Sequence, residues 1–485
     1  MSATPTVVIV GAGVSGLCTG IQLLKAGISS FTILEKSQKV GGTWYENQYP
    51  GAACDVPSHF YCYSFEPNPD WTRKFSGQAE IQRYLHRCAE KYRILPHIRF
   101  GTEVASASFD EQAGLWRIRT GNGEELTANV LVSGVGQLNR PHVPDLPGLS
   151  DFEGVSFHSA RWQHAYSLEG KNVAVIGNGA SAIQLIPPVA KQAKQLTIFQ
   201  RSANWIVPRG DYAYSERAKK VFRAFPLLLK LYRWFFYWQL EKNFLAFGGE
   251  GRIARTFETG ARGWLEAAIP DLKLRAALTP DYRVGCKRIL IDDDFYPALA
   301  GPNVAVCTSE IARITRNAIE TKDGATHPVD VIILATGFQT TAFLAPMQIE
   351  GVGGKKLAEI WGPGAEAHLG LCVSGFPNFF MMYGPNTNLG HNSIIFMIEA
   401  QVRYTVKCIQ ALAARHLRYL DVLPEVQERY NAQLQQELSH TAWAAGCESW
   451  YKTASGKITN NWSSFTVKYW WKTRRPKLEE FKRVS

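Results

Sequence analysis

Short runs of apolar, largely β-branched residues punctuate the chain. They are TVVIV (6–10), FTILEK (31–36), VLVSGVG (130–136), NVAVI (172–176), LTIFQRS (196–202) and VDVIILATGFQ (329–339). Uninterrupted runs of this length read as strands buried on both faces of parallel sheets. Between them the period lengthens to that of a helix, as in LCTGIQLLKAG (17–27), residues 79–94 and IIFMIEAQVRYTVKCIQALAARH (394–416). Residues 97–129 read instead as a small antiparallel excursion, with a hairpin turn at Gly121–Gly123. The order strand, turn, helix, strand occurs twice. It predicts an α/β protein with two Rossmann-like dinucleotide-binding domains. Pro141, Pro144 and Pro147 mark the exit from the first.

Each first strand runs straight into a glycine turn. Gly11, Gly13 and Gly16 form GAGVSG, and Gly177 and Gly179 open GNGASA, a GxGxxA variant that ends at Ala182. The first glycine allows the tight turn and the second lets backbone approach a pyrophosphate. The third position lets helix and strand pack closely, so the phosphate faces the helix N-terminus. The next strand of the first unit ends at Glu35, an acid suited to the adenosine ribose hydroxyls. The second unit has no acid at that place. Gln200, Arg201 and Ser202 follow its strand instead, and a cation there attracts a 2′-phosphate, which favours NADPH over NADH.

Residues 211–280 interrupt the second unit and are helical and aromatic, with FPLLLKLYRWFFYWQLEKNFLAF at their centre. Lys230, Arg233, Glu241 and Lys242 break the apolar run, which rules against a spanning helix. Two readings compete: an inserted helical subdomain over a substrate cleft, which is preferred, or an amphipathic element on a membrane.

Composition narrows the classes further. The chain has 485 residues, 46% hydrophobic and 20% charged, which suits a multidomain globular protein. The net charge of +11 has no domain-scale basic block, so surface lysines and phosphate contacts account for it better than nucleic acid does. Nine scattered cysteines without a CxxC suggest a reducing, cytoplasmic setting and argue against zinc or a redox dithiol. The triplet Asp292–Asp294 has no histidine beside it and reads as a turn, so no metal is expected.

Four further segments carry a family resemblance. Gly41, Gly42, Trp44, Tyr49, Pro50, Gly51 and Asp55 match GGxWxxxxYPGxxxD, and Phe152, Gly154, His158 and Trp162 match FxGxxxHxxxW. With CKR at 286–288 and ATGF at 335–338, the chain resembles the class B flavoprotein monooxygenases, and within them the type I Baeyer–Villiger monooxygenases. Gln163 departs from the Pro or Asp that follows the tryptophan in that fingerprint. The resemblance implies FAD at the first glycine turn and NADPH at the second. It divides the chain into an FAD domain (1–148 and 340–485), an NADPH domain (149–210 and 281–339) and the helical insertion (211–280).

The same resemblance implies roles. Trp44 lies near the flavin, Asp55 approaches both the flavin and Arg288, and His158 helps couple the two domains. Lys287 contacts the NADPH 2′-phosphate and Arg288 is catalytic. Gly42, Ser181, Arg201, Ser202 and Thr336 join the cofactor contacts, and Trp450 matches a tryptophan placed against NADPH and substrate. A permanently charged guanidinium suits the work, because a flavin peroxide must stay anionic to attack a carbonyl. Asn386, Asn388 and His391 are additional candidates, the histidine as readily structural as catalytic. The implied reaction is NADPH- and O₂-dependent conversion of a ketone to an ester or lactone, with bulky or long-chain apolar ketones suggested by the aromatic content. Oxidation at sulfur or nitrogen and NADPH-dependent flavin reduction are the rival activities.

Overall fold

The computed structural model describes residues 4–247, 251–444, 446–447 and 449–485. Two five-stranded parallel sheets organise it. In the first, strands run in the order Phe379–Met381, Val130–Ser133, Val7–Val10, Phe31–Leu34 and Ile98–Arg99. In the second the order is Val304–Cys307, Gln195–Phe199, Asn172–Ile176, Val331–Leu334 and Val155–His158. The central strands Val7–Val10 and Val130–Ser133 are buried along their whole length, as their uninterrupted apolar pattern requires.

Helix Val14–Lys25 follows the first glycine turn and packs against helix Ile394–Ala414, which returns late in the chain. That return is completed by the edge strand Phe379–Met381, which pairs with Val130–Ser133. The expected helix over 79–94 is Gln78–Lys91, and the hairpin joins Leu115–Thr120 to Glu125–Ala128. An antiparallel pair that the sequence pattern does not announce, Tyr419–Val422 with Phe481–Val484, fastens the C-terminus beside the first sheet, where Asn378 bonds Leu420.

The insertion forms helices Glu216–Ala224, Pro226–Glu241, Arg252–Ala268 and Leu272–Ala277. Ser215 caps the first, accepting from Ala218 N at 3.2 Å, and Pro226 opens the second at the position where a missing N–H costs nothing. Arg233 Nη1 donates to the carbonyls of His59 (3.2 Å) and Phe60 (3.0 Å), which ties helix Pro226–Glu241 to the loop after Asp55. Its far end is held by Glu241, which is buried and accepts from Asn392 Nδ2 (2.7 Å), Thr466 Oγ1 (2.8 Å) and Val467 N (3.1 Å). Among the described residues no helix is long and apolar enough to cross a membrane.

Candidate active site

The first glycine turn is a backbone cradle. A Cβ at Gly16 would lie 1.8 Å from Gly11 O, so only hydrogen fits between turn and helix there, while Gly13 faces Gly42 of the following loop at ordinary contact distance. Gly13 is the N-cap of helix Val14–Lys25 without any side-chain cap, which leaves the first helical N–H groups for a ligand. Glu35 ends the second strand. Its Oε2 accepts from Ala12 N (2.6 Å) and its Oε1 from Ser37 N (2.8 Å), so the carboxylate is fixed at the cradle's side.

A cavity of about 380 Å³ runs from this cradle towards the second sheet. It brings together Gly11, Gly13, Glu35, Gly42, Trp44, Asp55, Ser181 and Arg288. Trp44 is held by its indole N–H, which donates to Tyr61 Oη at 3.1 Å. Arg288 forms an ion pair with Asp55 across 233 positions of sequence. The carboxylate of Asp55 holds the guanidinium's pKa well above its ordinary value, so Arg288 stays charged within the cavity.

Two phenols stand by this pair that the sequence pattern does not single out. Tyr383 lines the cavity, donates to Asn388 Oδ1 at 2.6 Å, and sits at φ 59°. Tyr451 is buried, and burial pushes its phenol up to about 12, with Arg288 opposing the rise. The run MMYGPNTN carried a signal in its asparagines, but only the fold shows that Tyr383 turns into the site. Asn388 also lines the cavity. Asn386 instead binds the carbonyls of Ile458 (2.9 Å) and Asn461 (3.1 Å). His391 is buried 3.7 Å from Glu241 and does not line the cavity.

The second glycine turn has the same construction. Gly179 is the uncapped N-cap of helix Ala180–Ala190, with open space where a Cβ would be. Gly177 has φ +107°, and a Cβ there would meet Ala335 O at 2.5 Å, which locks the turn onto the ATGF segment. Thr336 in that segment bonds the His142 carbonyl. At the end of the next strand Arg201 is exposed, and Lys287 Nζ donates to Ser202 Oγ at 2.8 Å. Arg201, Ser202 and Lys287 thus gather outside the main cavity, where a 2′-phosphate would need cations. Gln184 of the same helix joins the two halves: it accepts from Tyr49 Oη (3.0 Å) and donates to Ala53 O (3.0 Å).

His158 lies apart from Arg288. Its Nε2 is 3.0 Å from Gly337 O, and its Nδ1 accepts from Ala160 N at 3.1 Å. Burial lowers its pKa, so it is the neutral Nε2–H tautomer that bonds Gly337. This makes it a positioning residue at the crossover between the sheets, with Trp162 packed edge-on against Phe157 nearby. Trp450 is also outside the cavity. Its carbonyl accepts from Thr340 Oγ1 (3.1 Å) and its ring lies 4.5 Å from that of Tyr451. Asp292 and Asp293 both accept from backbone N–H groups, the former from Asp294 and Phe295 at 2.8 Å.

The cysteine reading needs a correction. Cys286 and Cys447, 161 positions apart, form a disulfide, while the other seven cysteines are free. Spacing gives no sign of it, because the bridge is made by two irregular segments that only the folded chain brings to a Cα–Cα distance of 6.3 Å. One of these segments carries Lys287 and Arg288, the other leads to Trp450 and Tyr451.

The helix start after the first glycine turn and the start of helix Ala180–Ala190 meet at one cavity that also holds the half-buried Arg288–Asp55 pair, the arrangement of a flavoprotein that handles two nucleotides. Residues 4–246 match the family described as flavin-binding monooxygenase-like. A Baeyer–Villiger monooxygenase of Pseudomonas aeruginosa is 43% identical over 479 residues, covering 97% of this chain and 91% of that protein. One of Streptomyces coelicolor is 43% identical over 477 residues, covering 98% and 92%. The crystal structure of OTEMO complexed with FAD and NADP superposes with a TM-score of 0.90 at 26% identity, covering all of both chains. The chain belongs to the flavin-binding monooxygenase family, on its Baeyer–Villiger branch.

Proposed function

We propose that the chain uses NADPH and O₂ to insert one oxygen atom beside a ketone carbonyl, giving an ester or lactone, with the second oxygen atom leaving as water. The observation that carries this reading is the Arg288–Asp55 pair inside the cavity that also holds Trp44 and the first glycine cradle. FAD, when bound, accepts a hydride from NADPH and supplies the oxygen chemistry. Gly11, Gly13 and Glu35 would hold its adenosine half, and Gly42, Trp44 and Asp55 would surround its ring. Gly177, Gly179 and Ser181 would take the NADPH pyrophosphate, and Arg201, Ser202 and Lys287 its 2′-phosphate. The domain division given by the sequence follows the same assignment.

Arg288 then has one task. Negative charge builds on oxygen when a ketone carbonyl is attacked, and a fixed guanidinium stabilises it without reorganisation. Asp55 aims the guanidinium by accepting from Nη2, and the apolar wall of Val56, Leu389, Ile394 and Ile398 excludes water. His158 holds Gly337 and with it the crossover on which both nucleotide halves meet.

The test is turnover of the FAD-loaded protein with NADPH and a panel of ketones, products read by mass spectrometry, beside Arg288→Ala. Ester formation by the parent, and a loss of about 10²–10³-fold in the variant with NADPH-driven flavin bleaching retained, is the expected outcome. Oxidation of sulfides or amines with no ketone converted would overturn it.

A further inference from the structure

Helix Pro226–Glu241 presents its apolar side outward. It buries only Leu229, Phe236, Tyr237 and Glu241. Leu227 is 70% exposed, Leu231 59%, Trp234 53% and Trp238 57%, and these positions are spaced four, three and four apart, on one helical face. Leu228 and Phe235, seven apart, widen the face, and Phe225 precedes it. Each leaves on the order of 100 Å² uncovered, given the size of such side chains. Together they match or exceed the largest apolar patch of a typical monomer, about 300–600 Å². The patch continues onto helix Thr466–Lys472, where Val467 and Trp471 are exposed and Glu241 ties the two helices together.

Charge decides what covers this face. Residues 216–247 hold seven lysines and arginines against two acids, and one of the two, Glu241, is buried. Arg217, Lys220, Lys230 and Lys242 are exposed around the crest, and Arg475 and Lys477 are exposed beyond the second helix. A second copy docked on the same face by a two-fold axis would set these cations against themselves. An anionic surface would complement them. Exposed tryptophans among leucines and phenylalanines, flanked by cations, have the make-up of a helix that lies in the headgroup layer of a bilayer.

We propose that this face docks the protein peripherally on an anionic lipid bilayer, with Leu227, Leu231, Trp234 and Trp238 entering the headgroup–acyl boundary and the lysines and arginines contacting lipid phosphates. The helix is held rigidly for this, through Arg233 on the 59–60 carbonyls and Glu241 on the C-terminal helix. On the helix's buried edge Tyr237 packs on Phe60 and Phe396.

The FAD-loaded protein is tested by flotation with vesicles of phosphatidylcholine, with and without phosphatidylglycerol, at low and high salt. We expect it to float with the anionic vesicles and to be released by salt or by omission of phosphatidylglycerol. The triple variant Leu231→Ser/Trp234→Ser/Trp238→Ser should lower the bound fraction at least about tenfold, each lost apolar anchor weakening insertion. Lys220→Glu/Lys230→Glu should do the same at low salt. Both should retain FAD and the turnover of a water-soluble ketone. Absence of flotation by the parent, or unchanged flotation of both variants, overturns the proposal. So does a parent dimer in gel filtration that the triple variant converts to monomer, which would make the face an interface between copies.

Discussion

Lys287 and Arg288 are neighbours in sequence that serve two different places: Lys287 Nζ meets Ser202 Oγ at 2.8 Å, whereas Arg288 pairs with Asp55 in the flavin-side loop. One short segment therefore sets a cation at the end of the second unit's strand and another inside the cavity. The two charges are separable by mutation.

Lys287→Ala should raise KM for NADPH about tenfold, the worth of one charge-assisted phosphate contact, and leave that for NADH nearly unchanged. Steady-state NADPH and NADH oxidation measures it. An equal rise for both nucleotides would remove the 2′-phosphate from Lys287's role.

Asp55→Asn keeps an acceptor near Arg288 but removes the charge. The guanidinium should be less well aimed, with ester formation falling about 10–100-fold while flavin reduction by NADPH stays within a few-fold. The accompanying sign is uncoupling: hydrogen peroxide released per NADPH consumed should rise. Tight coupling in the variant would show that Asp55 does not position Arg288.

Both glycine turns, Glu35 and the parallel strands were legible because each is a local pattern whose physics acts within one strand–turn–helix unit. The Arg288–Asp55 pair was reached through resemblance, since nothing local connects residues 233 apart. Tyr383 and Tyr451 were not legible: a tyrosine beside other aromatic residues gives no indication of which way it turns. The segment of helix Pro226–Glu241 was legible as helical and aromatic, but a run of Leu, Phe and Trp does not say whether protein or solvent meets it. Only burial of the opposite edge settles that, through Leu229, Phe236 and Tyr237.

The disulfide was invisible for the same reason of distance. Titrating thiols in denaturant should give seven before reduction and nine after it, in accord with one bridge among nine cysteines. Peptide mapping should return Cys286 joined to Cys447. Nine thiols in unreduced protein would show the pair to be reduced.

His59 supplies a pH prediction. It is buried among Tyr214, Phe222 and Tyr232, and burial lowers its pKa from 6.5 to about 4, with Arg233 adding to the effect. Between those values the unfolded chain binds a proton that the folded chain refuses, so stability rises with pH across this window and is lost as pH falls through it. The shift corresponds to about 3 kcal/mol at full development. Burial moves His158 and His391 in the same direction, whereas Asp421, pushed up to about 6, works against them. The difference between parent and His59→Gln isolates one residue from that sum. The melting temperature of the parent should fall more steeply from pH 7 to pH 4.5 than that of the variant, even if the variant melts lower at neutral pH. Parallel curves would mean that burial does not keep the proton off His59 in the folded protein.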